Sequence, residues 1–234
     1  MEKVITLENP QSNISEAYRS IRTGIEFSNL DKNLKIICVT SSKQDEGKTT
    51  VISNLGVSFA KLDKKVLLID GDLRNPSINR IFGLKNSQGL MDILLGTKDI
   101  NQCIKLTKQE NLYILTGGII PPDPSEVLSS KKMGEFLEGI RDKYDYIFID
   151  TPPIGIVSDA SIVSSYSDGV IFVVGANEVD ATLAKMAKER LEAINANIIG
   201  VILNKYKTNI NSEYYSYYYR SDNEKVKKKK KRKK

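Results

Sequence analysis

A stretch at residues 41–50, SSKQDEGKTT, constrains the fold of this 234-residue chain more than any other. It fits the pattern Gly/Ala/Ser-x-x-x-x-Gly-Lys-Ser/Thr, with Ser42 where a glycine usually stands. An apolar run at residues 34–39 precedes it, and apolar residues at roughly helical spacing follow it. In a strand–loop–helix of this kind, backbone N–H groups and the helix N-terminus surround a phosphate. The stretch therefore predicts a phosphate-binding loop; the alternative is a Gly-Lys-Thr turn that arose by chance.

The residues of this loop have separate predicted roles. Lys48 would reach the β- and γ-phosphates of a nucleotide, and Thr49 would offer its hydroxyl to Mg²⁺. The other loop residues would surround the phosphates. The predicted nucleotide-binding set is Ser42, Lys43, Gln44, Asp45, Glu46, Gly47, Lys48, Thr49 and Thr50.

Acidic residues stand at the ends of two further apolar runs. Asp70 and Asp72, separated by one glycine, end the run at 66–69, and Asp150 ends the run at 146–149. Carboxylates at the carboxyl ends of parallel strands lie beside the phosphate loop, where Mg²⁺ requires oxygen ligands. The alternative for Asp70 and Asp72 is a polar turn, which Asp-Gly favours. With the loop in place, Thr49, Asp70 and Asp150 are the predicted metal ligands.

The rest of the chain alternates between predicted strands and helices. Strands are predicted at 112–115, 170–174 and 198–203, and helices at 181–194 and from Ser125 to Arg141. This alternation predicts a doubly wound, mainly parallel sheet of the phosphate-loop nucleoside triphosphatase (P-loop NTPase) type, covered on both faces. The predicted divisions are an extended polar arm at 1–13, a nucleotide-binding domain at 14–207 and a disordered tail at 208–234.

A helix is predicted to open that domain, capped by Ser12, Asn13 or Ser15 and running to about residue 30. Its apolar stripe is predicted to consist of Ile14, Ala17, Ile21 and Ile25. A charged ridge lies beside the stripe, at the spacing of three that brings side chains together on a helix; it consists of Glu16, Arg19 and Arg22. The spacing alone allows either a solvated face or a self-association surface.

The composition disfavours or excludes several kinds of site. The chain has two cysteines and no histidine, which disfavours a disulfide framework and excludes histidine as a metal ligand or general base. No apolar run is long enough to span a bilayer, and the start lacks a signal-peptide pattern. The net charge of +6 comes from the last ten residues, which hold nine Lys or Arg; the remainder has 26 basic and 29 acidic residues. A basic groove for nucleic acid is therefore not expected.

The tail carries a second unusual feature. Five of the eleven tyrosines crowd into six residues before the lysine block, and they are Tyr214, Tyr215, Tyr217, Tyr218 and Tyr219. Polar and charged neighbours favour a disordered segment over packed strands. The lysine block would be attracted to an anionic membrane surface or to an acidic face of the body.

The order of these motifs resembles the bacterial tyrosine kinases of capsule and exopolysaccharide assembly, in the form in which the kinase is a separate cytoplasmic polypeptide. The three stretches at 42–49, 67–72 and 147–150 are those of a Walker ATPase set. Residues 16–22, EAYRSIR, resemble the family's E-x-x-R-x-x-R oligomerisation motif, and the tyrosine run resembles its autophosphorylation cluster. The resemblance spans residues 16–219 and favours self-association for the charged ridge.

The resemblance implies a protein tyrosine kinase that uses Mg-ATP and phosphorylates the five tail tyrosines in trans. It implies catalytic roles for Lys48, Asp70, Asp72 and Asp150, with one of the acids at 70 and 72 as the base. It also implies a homo-oligomer that can close into a ring, a membrane-embedded polysaccharide chain-length regulator as activator, and a tyrosine phosphatase. The kinase would be cytoplasmic and held at the inner face of the membrane by the activator.

A competing hypothesis is a partition- or septum-placement-type ATPase switch without kinase activity. Those ATPases share the fold and keep a lysine at the loop position that Lys43 occupies; a solvated loop lysine is the alternative there. The tyrosine run and the motif at 16–22 favour the kinase, and the switch would predict an amphipathic membrane helix at the end of the chain. The signatures of a eukaryotic-type protein kinase are not found.

Overall fold

A computed structural model describes residues 4–207 of the chain, and these form one seven-stranded sheet with helices on both faces. The strands are β1 Ile36–Ser41, β2 Val66–Asp70, β3 Ile104–Leu106, β4 Leu112–Leu115, β5 Tyr146–Asp150, β6 Gly169–Gly175 and β7 Ile198–Asn204. They lie in the order β3-β4-β2-β5-β1-β6-β7. Only the edge strand β3 runs antiparallel to its neighbour; the other pairs are parallel. The predicted fold class is confirmed.

The described residues form ten α-helices: α1 Ile5–Glu8, α2 Asn13–Ser28, α3 Lys48–Ala60, α4 Ile78–Phe82, α5 Leu90–Leu95, α6 Ile100–Cys103, α7 Pro124–Leu128, α8 Lys131–Ile140, α9 Asp159–Ser165 and α10 Ala181–Ala193. Two apolar clusters hold them to the sheet, one on each face. Helices α2, α3 and α4 contribute to one cluster, and α5, α8, α9 and α10 to the other. The central strands β1, β2 and β5 are buried throughout, as continuous apolar runs between two helical layers require.

Three local predictions were wrong. Residues 5–8 form a helix rather than part of an extended arm, because Thr6 is buried against α3, where its N–H and hydroxyl both donate to Asn54 Oδ1. The single helix predicted from residue 125 to 141 is divided into α7 and α8, because Ser130 takes an extended conformation and starts a new helix. The third error concerns the face of α2.

Helix α2 begins after Ser12, one of the three predicted caps, whose hydroxyl accepts from Ser15 N. Its buried residues are Ser15, Tyr18 and Ile25, whereas Ile14 is 59% exposed and Ala17 is also exposed. The predicted stripe was right at Ile25, which is buried, and at Ile21, which packs against the core. It was wrong at Ile14 and Ala17, because hydrogen bonds bury the polar side chain of Ser15 on this face instead. Ser15 Oγ contacts the carbonyl oxygens of Ile5 and Asn9 at 3.2 and 2.7 Å.

The predicted tail at 208–234, including the five clustered tyrosines and the lysine block, lies outside the described residues. The domain boundaries after residues 13 and 207 stay predictions. Within residues 4–207, no helix is both long enough and apolar enough to cross a membrane.

Candidate active site

The phosphate loop lies between the end of β1 and the start of α3, as predicted. Lys48 is the first helical residue and is 8% exposed. Gly47 before it has φ +89°, and a Cβ there would lie 2.2 Å from Asn204 Nδ2. Glycine suits this position, because the left-handed conformation strains other residues and any Cβ would displace the Asn204 side chain. The glycine lets the backbone turn sharply into the helix.

Six of the nine predicted loop residues line a cleft of 920 Å³ on the carboxyl edge of the sheet, and they are Gln44, Asp45, Gly47, Lys48, Thr49 and Thr50. The other three lie elsewhere in the loop. Ser42 and Glu46 are buried beneath it, and Lys43 donates its backbone N–H to Glu46 Oε2 at 2.8 Å. Their contribution to nucleotide binding would therefore come from how they shape the loop.

Asp70 and Asp150 lie side by side at the ends of β2 and β5, where they are paired in register. Both are buried, at 0% and 1% exposure. Thr49 Oγ1 donates to Asp150 Oδ2 at 2.5 Å, which places the loop's hydroxyl beside the acids. The structure therefore brings together the three predicted metal ligands.

Burial, with Asp150 as a second contribution, raises the pKa of Asp70 well above its ordinary value. Its Oδ2 accepts from the backbone N–H groups of Ser77 and Ile78, at 2.8 and 2.9 Å. Its Oδ1 is buried without a hydrogen-bond partner among the described residues. A carboxylate in this position requires a cation before it can ionise at low cost.

These oxygen atoms fit Mg²⁺. Within residues 4–207 no group of three His, Cys, Asp or Glu side chains could hold a metal by itself. Mg²⁺ in phosphate-loop sites takes one or two carboxylates, a hydroxyl, water and the nucleotide's own phosphates. Thr49, Asp70 and Asp150 supply that smaller set, and the unpartnered Asp70 Oδ1 is the atom that a cation would satisfy.

Asp72 lines the same cleft two residues beyond Asp70. Its Oδ1 accepts from Asn75 N at 3.0 Å, so it also stabilises the turn that the sequence offered as the alternative. Burial raises its pKa, while the backbone N–H of Asn75 and the positive charge of Lys48 oppose that rise. Gly71 between the two acids permits the close approach, because a Cβ there would lie 2.8 Å from Asp150 O.

Ser77 lies beside these side chains, although it was not predicted as a site residue. Its hydroxyl lies 2.8 Å from Thr49 Oγ1, and its backbone N–H donates to Asp70. It therefore connects the Thr49 hydroxyl, a predicted metal ligand, to one of the acids.

Asp159 was also not predicted. Its fully buried carboxylate accepts from Arg74 Nε at 2.8 Å and Nη2 at 2.9 Å, and from Ser125 Oγ at 2.8 Å. Arg74 lines the cleft and is 40% exposed, so this pairing holds a guanidinium at the cleft wall. A span of 85 residues separates the two partners, and no local pattern in the sequence could have joined them.

Beyond the phosphate loop, the cleft has apolar walls from two segments. One is the turn and short helix after β2, which contributes Ile81 and Leu84. The other is the loop after β5, which contributes Pro153, Ile156 and Val157. Ile156 is 55% exposed. The cleft therefore combines a polar end suited to phosphates with an apolar end suited to a ring.

The predicted charged ridge lies on α2, away from this cleft. Glu16 and Arg19 form an ion pair within the helix, and Arg19 Nη1 also donates to Pro10 O at 2.8 Å. Arg22 instead points at α3, where its Nη1 donates to the carbonyl and hydroxyl oxygens of Ser58 at 3.0 and 3.2 Å. The three residues are therefore on one helix but have different environments.

Known proteins show where this architecture recurs. A domain model described as "AAA domain" matches residues 34–198. Tyrosine-protein kinase YwqD of Bacillus subtilis (strain 168) is 41% identical over 211 residues, which cover 90% of this chain and 89% of the relative. The solved kinase domain of Escherichia coli tyrosine kinase ETK has a TM-score of 0.84 at 33% identity, covering 89% of this chain and 82% of that one.

A more distant likeness is to the septum site-determining protein MinD complexed with Mg-ADP, from Pyrococcus horikoshii OT3. Its TM-score is 0.62 at 31% identity, covering 74% of this chain and 70% of that one. The likenesses to the ETK kinase domain and to MinD both support a nucleotide-binding fold, and the likeness to the ETK domain covers more of this chain.

Proposed function

The chain belongs to the family of bacterial tyrosine-protein kinases, and on that premise we propose that it transfers the γ-phosphoryl group of Mg-ATP to its own C-terminal tyrosines in trans and thereby regulates capsular or exopolysaccharide synthesis and export. The observation that carries the proposal is the convergence of Thr49, Asp70 and Asp150 beneath the phosphate loop, with Asp70 Oδ1 lacking a partner.

Each residue at the polar end of the cleft has a distinct task in that transfer. Lys48 acts as a point charge on the β- and γ-phosphates and stabilises the charge that develops on the transferred group. Thr49, Asp70 and Asp150 would hold Mg²⁺, which would supply positive charge against the phosphates. Ser77 keeps the Thr49 hydroxyl and Asp70 in place through its two hydrogen bonds.

Asp72 is the proposed base toward the tyrosine hydroxyl. It lines the cleft, and burial raises its pKa, so that this pKa is closer to the pKa of a phenol than the pKa of an ordinary aspartate is. A large difference from a phenol pKa of about 10 remains. That difference is tolerable because phosphoryl transfer is loose, so that positioning and charge neutralisation do most of the catalysis.

The apolar end of the cleft is the proposed place for the acceptor ring. Ile81 and Leu84 on one side and Pro153 and Ile156 on the other could enclose a phenol next to the phosphates. Lys205 lines the same cleft, and Tyr214 follows nine residues later, a reach of about 30 Å in extended chain. Because this reach would also permit phosphorylation in cis, trans transfer needs its own test.

The proposed assembly follows from the family. It comprises a homo-oligomer formed through Glu16, Arg19 and Arg22, a membrane-embedded polysaccharide chain-length regulator as activator, and a tyrosine phosphatase that reverses the modification. The activator would hold the kinase at the inner face of the membrane, and the terminal lysine block would add attraction to anionic lipid.

Purified protein incubated with Mg-ATP, with and without the cytoplasmic segment of the activator, tests the kinase proposal. Anti-phosphotyrosine signal should appear on the wild type and be lost in Lys48→Met, because that variant lacks the positive charge that stabilises the transferred phosphoryl group. Lys131→Met is the matched control, since it makes the same change at a lysine that is 91% exposed on α8 and does not line the cleft. Nucleotide hydrolysis and nucleotide-dependent dimerisation without phosphotyrosine would instead favour the partition-type switch.

A mixing experiment tests trans transfer. Lys48→Met protein keeps the five tyrosines, and its partner is an active form in which all five are replaced by phenylalanine. Phosphotyrosine on the Lys48→Met chain requires transfer between molecules. If neither chain is labelled in the mixture although the wild type labels itself, transfer occurs within one chain and the trans proposal fails.

A further inference from the structure

Glu46 is a buried carboxylate inside the phosphate loop. It is 0% exposed, and the cleft that receives the nucleotide is not lined by it. Ionised carboxylates are rarely buried unless several donors satisfy them, because removing the charge from water is costly. Glu46 was predicted to bind nucleotide, and its side chain is instead turned away from the cleft.

Three donors surround this carboxylate. Oε2 accepts from Ser42 Oγ at 2.7 Å and from Lys43 N at 2.8 Å, and Oε1 accepts from Gly175 N at 2.8 Å. All three donors are neutral groups. One side chain therefore ties the end of the loop to its beginning and to the last residue of β6.

The backbone of the same segment is held by the last residue of β7 and by the residue that follows it. Asn204 Nδ2 donates to Glu46 O at 2.9 Å, and Lys205 Nζ donates to Asp45 O at 2.5 Å. Carbonyl groups held outward in this way leave the loop's N–H groups free to face a phosphate. The carboxylate and β7 thus act on the same short turn from its two sides.

The Ser42 hydroxyl gives a physical reason for an acid at position 46. It occupies the place of the usual first glycine, and its hydroxyl is buried at 1% exposure. A buried hydroxyl requires an acceptor, which Glu46 provides. The serine and the glutamate therefore form a matched pair.

We infer that Glu46 is a positioning residue that holds the phosphate loop in its binding shape before nucleotide arrives, with Ser42 as its matched partner. The inference rests on the proposed nucleotide site. A loop ordered in advance binds phosphate without first losing conformational freedom, so the effect should fall on phosphate-bearing ligands.

Affinity for Mg-ADP, measured by calorimetry on the full chain, tests the inference. Glu46→Gln keeps the shape but turns an NH₂ group toward one of the backbone donors, and we expect about tenfold weaker binding. Glu46→Ala removes all three acceptor contacts, and we expect about a hundredfold. Glu189→Gln is the control, because this exposed glutamate pairs with Lys185 on the surface of α10 and does not line the cleft. It should bind Mg-ADP like the wild type.

The matched pair makes a sharper prediction in combination. Ser42→Gly should weaken Mg-ADP binding in the wild type, because the carboxylate loses a donor. In Glu46→Ala it should strengthen binding, because it removes a buried hydroxyl that has lost its acceptor. A change of the same sign and size in both backgrounds would overturn the pairing.

Two measurements distinguish a specific effect on phosphate binding from a general loss of folding. Adenosine lacks phosphates, so its weak binding, read by ligand-observed NMR, should be the same for Glu46→Gln and the wild type. In kinase assays the KM for ATP should rise more than kcat falls. Equal losses for adenosine and Mg-ADP, or unchanged Mg-ADP binding, would overturn the inference. Failure of the wild type to bind Mg-ADP would instead reject the nucleotide site itself.

Discussion

Asp70 and Asp150 occupy paired positions at the ends of two adjacent parallel strands, so two buried carboxyl groups face the same point below the phosphate loop. In the absence of a cation this arrangement opposes ionisation: burial raises the pKa of Asp70, and the facing Asp150 raises it further. The arrangement lowers the stability of the metal-free protein and favours the binding of a divalent metal. Such a conflict between folding and local electrostatics is typical of a functional site.

Asp70→Asn should therefore stabilise the metal-free protein while weakening its response to magnesium. The amide oxygen can still accept from Ser77 N and Ile78 N, and one of the two facing charges is removed. Thermal unfolding in EDTA should show a higher Tm than the wild type, and the increase in Tm caused by Mg-ADP should shrink. Kinase activity should fall by about two orders of magnitude. A lower Tm in EDTA would contradict the electrostatic account.

Asp72→Asn separates the proposed base from the turn that the same residue stabilises. Asparagine can still accept from Asn75 N, so the turn should persist and the Tm should change little. The amide cannot take a proton, and kcat should fall by about 100-fold with a smaller change in the KM for ATP. Asp72→Ala removes both functions and should lower the Tm as well. Full activity of Asp72→Asn would exclude a role as base.

Strand ends were the part of the site that the sequence could predict. Asp70, Asp72 and Asp150 each follow an apolar run, and parallel strands bring such ends together whatever the loops do. Ser77 and Asp159 could not be found in this way, because their partners are distant in sequence and hydrogen-bonding geometry selects them. The buried face of α2 was wrong in part for a related reason: apolar periodicity found Ile21 and Ile25, but it does not register Ser15, which is buried through hydrogen bonds to backbone carbonyls.

The Arg74–Asp159 pair predicts an asymmetry between its two partners. Arg74→Ala leaves a fully buried carboxylate with Ser125 as its remaining side-chain donor, and should cost about 3 kcal/mol of unfolding free energy. Asp159→Asn leaves a partly exposed guanidinium that water can reach, and should cost about 1 kcal/mol. In the double variant part of the loss should be regained.

Urea unfolding of the four proteins measures this cycle. Asp142→Asn is the control, because Asp142 forms an ion pair with Lys35 while remaining 91% exposed, and surface pairs contribute little. Additive losses in the double variant would show that the pair is not coupled.

The two arginines of the proposed oligomerisation motif should behave differently when they are replaced one at a time. Arg22 is largely buried against α3 and donates to Ser58 O, so Arg22→Ala should lower the Tm of the subunit itself. Arg19 is 37% exposed and pairs within its own helix with Glu16, and such a pair contributes little to folding. Its guanidinium can be shared with a neighbouring subunit. Arg19→Ala should therefore reduce the mass measured by light scattering while leaving the Tm nearly unchanged.

Arg19→Lys is the matched control for charge, since it keeps the cation but not the planar, two-pronged geometry. An unchanged mass for Arg19→Ala at all protein concentrations would assign this ridge to the solvated surface and leave Arg22 with a structural role alone.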